Sequence, residues 1–195
     1  MSVTGPLTVE QWRAFLTEYS REVLASGDQE IDQAQPGGGF ITVPRFTPEV
    51  LASGWVGSEP CREADLRAAE ARLGRSLPPS FRNFYLVSNG WPDAGRYGED
   101  VWPVQEVEWL REGGSSDLIE AWEGALDDTG MEVLRAGLLI AYAHGGAGDY
   151  WLLTPPESGA ASSEWTAYQW GAGAGEQPEP FGSFGALMAI QREKR

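Results

Sequence analysis

Between Cys61 and Gly90 the chain reads CREADLRAAEARLGRSLPPSFRNFYLVSNG, where helix start, stop and restart signals follow one another closely enough to leave little choice of local fold. Leu66, Ala69 and Leu73 recur at i, i+3 and i+7 and so share one stripe of a helix, with Arg62, Glu63, Arg67 and Arg72 largely outside it. Ser58 and Glu59 ahead of Pro60 suit the entry, since proline is tolerated in a first turn whose amides lack intrahelical partners anyway. Gly74 suits the exit because it adopts positive φ without a Cβ clash. Leu77-Pro78-Pro79 then stops that helix and presets φ for a second, on which Phe81, Phe84, Tyr85 and Ser88 share a face. Asn89-Gly90 ends it with two residues that tolerate left-handed geometry. The expected product is a tight helical corner offering two apolar faces to the rest of the molecule.

Upstream, residues 8–24 carry Trp12, Phe15, Leu16, Tyr19 and Val23 on one helical face, with Thr8 and Gln11 spaced as a capping box. An aromatic stripe of that size left bare invites aggregation, so docking onto the main domain is expected. Ser26-Gly27 and the QPGGG run from Gln35 mark a flexible passage, Phe40 to Val43 suits a short strand, and Thr47-Pro48 opens a helical turn that Gly54 closes before Trp55.

Downstream of the corner, Trp91 to Asp100 reads as a Gly-, Pro- and Asp-rich loop, and Val101 to Val104 as an edge strand or extended entry. Leu118, Ile119, Trp122 and Leu126 recur with helical spacing, and Asp127 to Glu132 reads as an acidic turn. Strands dominate the last third: Leu138 to Tyr142, a turn from Gly145 to Asp149, Tyr150 to Thr154, and an alternating Trp165 to Trp170. Ser183 then caps a helix with Phe184, Leu187 and Met188 inward. Helices first and antiparallel strands later indicate an α+β fold.

At 195 residues and 42% hydrophobic content, the chain fits one domain, or one domain with an appendage, and can bury a full core. Its nine tryptophans each need a partner for the indole N–H when buried, so some are expected at the surface or in an interface. Fourteen Lys and Arg stand against 29 Asp and Glu, a net charge of −15. That field repels phosphate backbones and argues against direct nucleic-acid binding, while favouring a basic protein partner; a simple solubilising role accounts for it equally well. The single cysteine permits no internal disulfide and no Cys-based metal cage. With no basic leader followed by an apolar run, and no window near the roughly 18 apolar residues of a spanning helix, a cytoplasmic protein is expected, with no membrane association.

Catalytic signals are weak. The sole histidine, His144, lies among Gly145, Gly146, Gly148 and Asp149, but no second His or Cys pair completes a zinc set and no G-x-S-x-G elbow occurs. His144 is more simply a turn residue. The glycines are followed by neither Lys-Ser/Thr nor a helix, so they form no phosphate cradle. Carboxylates are too plentiful to nominate an acid–base pair, and Asp127-Asp128 and Glu99-Asp100 read as solvated loops. No cofactor, metal or catalytic residue is therefore assigned, and no enzyme is expected.

Leu66, Glu70, Leu73-Gly74, Leu77-Pro78, Phe81, Phe84 and Asn89-Gly90 together resemble the signature of the SUKH superfamily. Leu138 to Leu153, with Gly148-Asp149, is similar to the family's strand, Gly-Asp turn and strand, and Ser183-Phe184 to its closing segment. The likeness spans roughly residues 45 to 191. It implies a SUKH-like domain over 45–195, its N-terminal helices packed on a mainly antiparallel curved sheet and closed by a C-terminal helix, with residues 1–44 as a helix-and-linker appendage. Under it, Asp149 is expected to cap turn amides, and Glu70 either to bond amides between Gly74 and Leu77 or to contact a partner.

For function, the resemblance implies an immunity protein that binds and neutralises a cognate polymorphic toxin domain, such as a basic nuclease or deaminase. The alternative is a non-toxin interaction module resembling the fungal cell-wall-assembly regulators. An acidic surface could shield a basic cleft, with aromatic anchors inside an acidic rim. Loop placement and charge nominate Trp91, Asp93, Glu99, Asp100, Trp102, Asp127 and Asp128 as partner-binding residues.

Overall fold

The structure, a computed structural model, describes residues 6–26, 30–34, 38–143, 148–156 and 163–194. Helix α1 (Val9–Ala25) begins at the capping box: Thr8 Oγ1 accepts from the Gln11 amide and Gln11 Oε1 from the Thr8 amide. Its apolar stripe of Trp12, Leu16, Tyr19 and Val23 is buried in the main core. Strands β1 (Glu30–Ala34) and β2 (Phe40–Pro44) form a separate antiparallel hairpin, followed by the short α2 (Pro48–Ser53).

The helical corner is α3 (Glu63–Leu73) and α4 (Pro79–Tyr85). Its entry differs from the expected one. Pro60 precedes the helix, and Arg62 is the N-cap, its amide donating to Asp65 Oδ2 at 3.0 Å. Ser58 and Glu59 instead meet the far end of the corner, the Ser58 amide donating to Ser88 Oγ at 2.9 Å and the Glu59 carbonyl accepting from the Asn89 amide at 3.2 Å. Gly74 ends α3 at φ 66°, in the left-handed region. Helix α4 stops at Tyr85, short of Asn89-Gly90, yet Phe81, Phe84, Tyr85 and Ser88 are all buried.

Strands β3 (Glu99–Val101), β4 (Glu108–Trp109), β5 (Leu138–Ala143), β6 (Asp149–Thr154), β7 (Thr166–Gly171) and β8 (Glu179–Phe181) make an open antiparallel sheet ordered β3-β5-β6-β7-β8, with β4 also pairing β5. Helices α5 (Asp117–Ala121) and α6 (Asp128–Ala136) lie between β4 and β5, and α7 (Phe184–Glu193) closes the chain, capped by Ser183. The expected α+β class holds.

The run Leu138 to Ala141 is apolar throughout because both faces of the sheet are covered. Leu138, Ile140, Trp151 and Leu153 face the larger cluster formed with α1, α3, α4 and α7; Leu139, Leu152 and Trp170 face a smaller one with Leu110 and the α6 residues Met131, Val133 and Leu134. In the larger cluster Trp12, Phe84 and Phe184 meet pairwise, with ring centroids 5.1 to 5.5 Å apart. Each such side chain contributes about 1.5–3 kcal/mol by leaving water.

Where an acidic turn is expected, the chain starts α6. Asp127 is its N-cap, Oδ1 accepting from the Gly130 amide at 2.7 Å, and Asp128 sits in the first turn, where negative charge suits the helix dipole. The expected helix through Leu118 and Leu126 is correspondingly short, ending at Ala121.

Candidate functional site

Asn89 and Gly90 lead the chain from the helical corner to the sheet edge. Asn89 Oδ1 accepts from the Val104 amide at 2.8 Å, its Nδ2 donates to Gln105 Oε1 at 3.0 Å, and its own amide donates to Glu59 O at 3.2 Å. Gly90 has φ 103°, and a Cβ there would sit 2.9 Å from the Val101 carbonyl oxygen. Trp91 and Val101 then exchange both backbone hydrogen bonds at 2.9 Å, forming a bridge beside β3. The register slips between Leu139 and Ala141 where β5 meets β6, and the Trp102 amide donates to Ile140 O at 2.9 Å. Tyr85 Oη holds the Trp102 carbonyl at 2.9 Å.

These ties frame a cleft of about 560 Å³ whose lining includes Trp91, Asp100, Trp102, Glu106, Glu108 and Tyr142. Three acidic and three aromatic residues line it, and among the described residues no lysine or arginine does. Trp102 and Tyr142 meet edge to face, centroids 5.6 Å apart, and Tyr142 is 37% exposed. Trp91 forms the inner wall: it is 1% exposed, stacked on Tyr19 at 5.7 Å and met edge-on by Trp55 at 5.3 Å. Its indole N–H has no hydrogen-bond partner among the described residues, which costs about 1–3 kcal/mol for a buried donor.

Of the seven nominated partner-binding residues, the structure brings Trp91, Asp100 and Trp102 together in this cleft. Asp93 lies beside it, in the left-handed region at φ 50°, its carboxylate paired with Arg45 and its amide donating to Asp100 Oδ1 at 2.6 Å. Asp127 and Asp128 serve the start of α6 and do not line it.

Glu99 departs from the expected solvated loop. It opens β3 and is fully buried. Trp151 Nε1 and Gln169 Nε2 donate to its Oε1 at 3.1 and 3.0 Å, and the Tyr97 amide donates to Oε2 at 2.9 Å. Gln169 in turn accepts from Gln191 of α7, whose Oε1 takes the Arg96 amide. Glu99 is a knot of the fold, because a buried carboxylate persists only when hydrogen-bonded this fully.

Glu70 Oε1 accepts from the Leu77 amide at 3.1 Å and from Arg82 Nε at 3.3 Å, fixing the angle between α3 and α4. Asp149 begins β6, where burial first, and then Glu99 and Glu176, push its carboxyl above the ordinary range. The turn whose amides it is expected to cap, with His144, lies outside the described residues. Burial pushes the Cys61 thiol up to about 11, which leaves it protonated and unreactive. Among the described residues no group of His, Cys, Asp and Glu could hold a metal ion, and no helix is long and apolar enough to cross a membrane.

Sequence reasoning missed Glu106, Glu108 and Tyr142 as cleft residues. Glu106 lies in a turn closed by its own amide on the Pro103 carbonyl at 2.9 Å and Glu108 opens the two-residue β4, so no strand alternation announces the pair.

The described residues form an open α+β scaffold with an acidic, aromatic cleft at a sheet edge. The SMI1 / KNR4 family (SUKH-1) model matches residues 60–189, from the approach to α3 into α7, and the chain belongs to that family. No curated protein matches it. Family membership supports an immunity or regulatory role exercised through a protein partner.

Proposed function

We propose that the chain is an immunity protein that binds a cognate polymorphic toxin domain, a basic nuclease or deaminase, and neutralises it in the cytoplasm. The observation that carries the proposal is the cleft beside β3, lined by three acidic and three aromatic residues and, among the described residues, by no lysine or arginine. A nuclease or deaminase presents positive charge to its polyanionic substrate, so an acidic surface both steers encounter and competes for the same groups. Aromatic side chains supply the desolvated anchors on which affinity depends, and carboxylates at the margin exclude wrong partners. The activity is binding, with no cofactor, metal or chemical step, and the same charge disfavours direct contact with nucleic acid or anionic membranes.

One observation favours the regulatory-module reading as a second possibility. The β1–β2 hairpin stands apart from the main sheet, with Phe40 74% and Ile41 42% exposed, and could serve a partner other than a toxin.

The test is co-expression with the C-terminal domain of a secreted toxin encoded beside this gene, scoring host survival and co-purification together. Rescue with a stable complex is the expected result. A toxic neighbour that is neither bound nor neutralised would refute immunity for that pair and make the regulatory module the leading account.

A further inference from the structure

The immunity reading leaves open which chemical group of the partner the cleft receives. Asp100, Glu106 and Glu108 share it with Trp102 and Tyr142, and no cation of this chain lines it among the described residues. Asp100 is held in place by the Asp93 amide, and Glu108 Oε1 by the Gly114 amide at 2.9 Å, so two of the three carboxylates are oriented before any partner arrives. Glu106 is exposed at the rim. Trp102 and Tyr142 meet edge to face at the same cleft, centroids 5.6 Å apart.

From this combination we infer that the cleft is an arginine receptor: a partner loop inserts one guanidinium, stacked on the Trp102–Tyr142 pair and bonded to Asp100 and Glu106. A guanidinium fits better than an ammonium because it is planar, less strongly hydrated, able to stack on a ring and able to meet a carboxylate through two parallel N–H donors. Elsewhere the chain makes the same arrangement for itself. Arg111 lies over the Trp109 ring at 5.7 Å while bonded to Glu112, and Arg192 lies over Phe15 at 5.2 Å while bonded to Glu22. Preformed walls lower the ordering cost of binding, so one inserted side chain can act as the anchor of a larger interface.

This inference rests on the immunity reading for its partner but is tested without one. The probe is the blocked tripeptide acetyl-Gly-Arg-Gly-amide, compared with its citrulline counterpart, which keeps the shape and loses the charge. Both are titrated at millimolar concentration against the full chain while the tryptophan indole N–H resonances are followed. The arginine probe should shift the Trp102 resonance saturably, bind at least about tenfold more tightly than the citrulline probe, and weaken as salt rises. Trp102→Ala and the double variant Asp100→Asn with Glu106→Gln should each abolish the difference while leaving far-UV circular dichroism unchanged; asparagine keeps an acceptor for the Asp93 amide. Equal binding of the two probes, or no shift at Trp102, overturns the inference. Where a toxin is neutralised and the double variant neutralises it with unchanged affinity, the arginine receptor falls and immunity stands. Arginine-selective binding with a toxic neighbour that is not neutralised sustains the receptor and refutes immunity for that pair.

Discussion

The indole N–H of Trp12 donates to the carbonyl oxygen of Ser80 at 2.7 Å, fastening α1 to the first turn of α4. The ring itself fills the space between Phe84 and Phe184. Trp12→Ala should therefore cost about 3–5 kcal/mol of unfolding free energy, the range for deleting a buried tryptophan side chain. Trp12→Phe keeps much of the packing and gives up the bond to the Ser80 carbonyl, which retains its place in the α4 hydrogen-bond ladder, and should cost about 0.5–1.5 kcal/mol beyond the lost ring area. Urea midpoints of the two variants check the ordering, and equal midpoints would show that the hydrogen bond, not the packing, dominates.

Glu70 holds the Leu77 amide and Arg82 at once. Glu70→Gln retains an acceptor for the amide and gives up the charge; Glu70→Ala leaves the amide without its partner. The alanine variant should lose about 1–3 kcal/mol and the glutamine variant clearly less. Were the residue a partner contact alone, neither substitution would move the unfolding transition.

At Gly90 both the backbone angle and the space are restrictive, whereas at Gly74, at φ 66°, an added Cβ meets nothing within 4 Å. Gly90→Ala should accordingly cost more than Gly74→Ala, by roughly 1–3 kcal/mol against about 1 kcal/mol. Because Gly90 and Val101 both line the cleft, the first variant should also weaken partner binding and the second should not. Thermal melts paired with a binding titration separate the two effects.

Asp149 holds its proton to a higher pH than an ordinary carboxyl, chiefly because it is partly buried, and further because Glu99 and Glu176 are near. Between the unfolded value and this raised one the native state binds more protons, so stability falls as pH rises through that window, and the full penalty is present at neutral pH. Asp149→Asn removes it. The variant should have a higher urea midpoint than the parent at pH 7, an advantage that shrinks on acidification and vanishes below the ordinary carboxylate range. A lower midpoint at pH 7 would show that the charge is used in the native state.

Locally encoded features are legible in the sequence. The Thr8–Gln11 box, the Gly74 exit, the Pro78-Pro79 restart and the Ser183 cap each depend on residues within one turn of one another, and each forms where the spacing puts it. Features set by distant pairing are not. Nothing near Glu99 announces that Trp151 and Gln169 will surround its carboxylate, so an acid in a polar loop reads as solvated. Gly130 obscures α6 by interrupting an otherwise helical pattern, although Asp127 already stands as its cap. In the cleft, Trp91, Asp100 and Trp102 are legible from their place after the corner, while Tyr142 arrives from β5, whose pairing with β3 no local pattern signals.

The meeting of Trp12, Phe84 and Phe184 bears on the order in which the molecule is made. A ribosome delivers Trp12 early and Phe184 late, yet the three rings form one cluster. Until α7 has emerged, the nascent chain carries the stripe of α1 and the face of α4 without the element that covers them, and sticky surface of this kind is what holdase chaperones recognise. Completion of the core is therefore a late event in synthesis, and a chain stalled before Phe184 is one the cell must shelter or destroy.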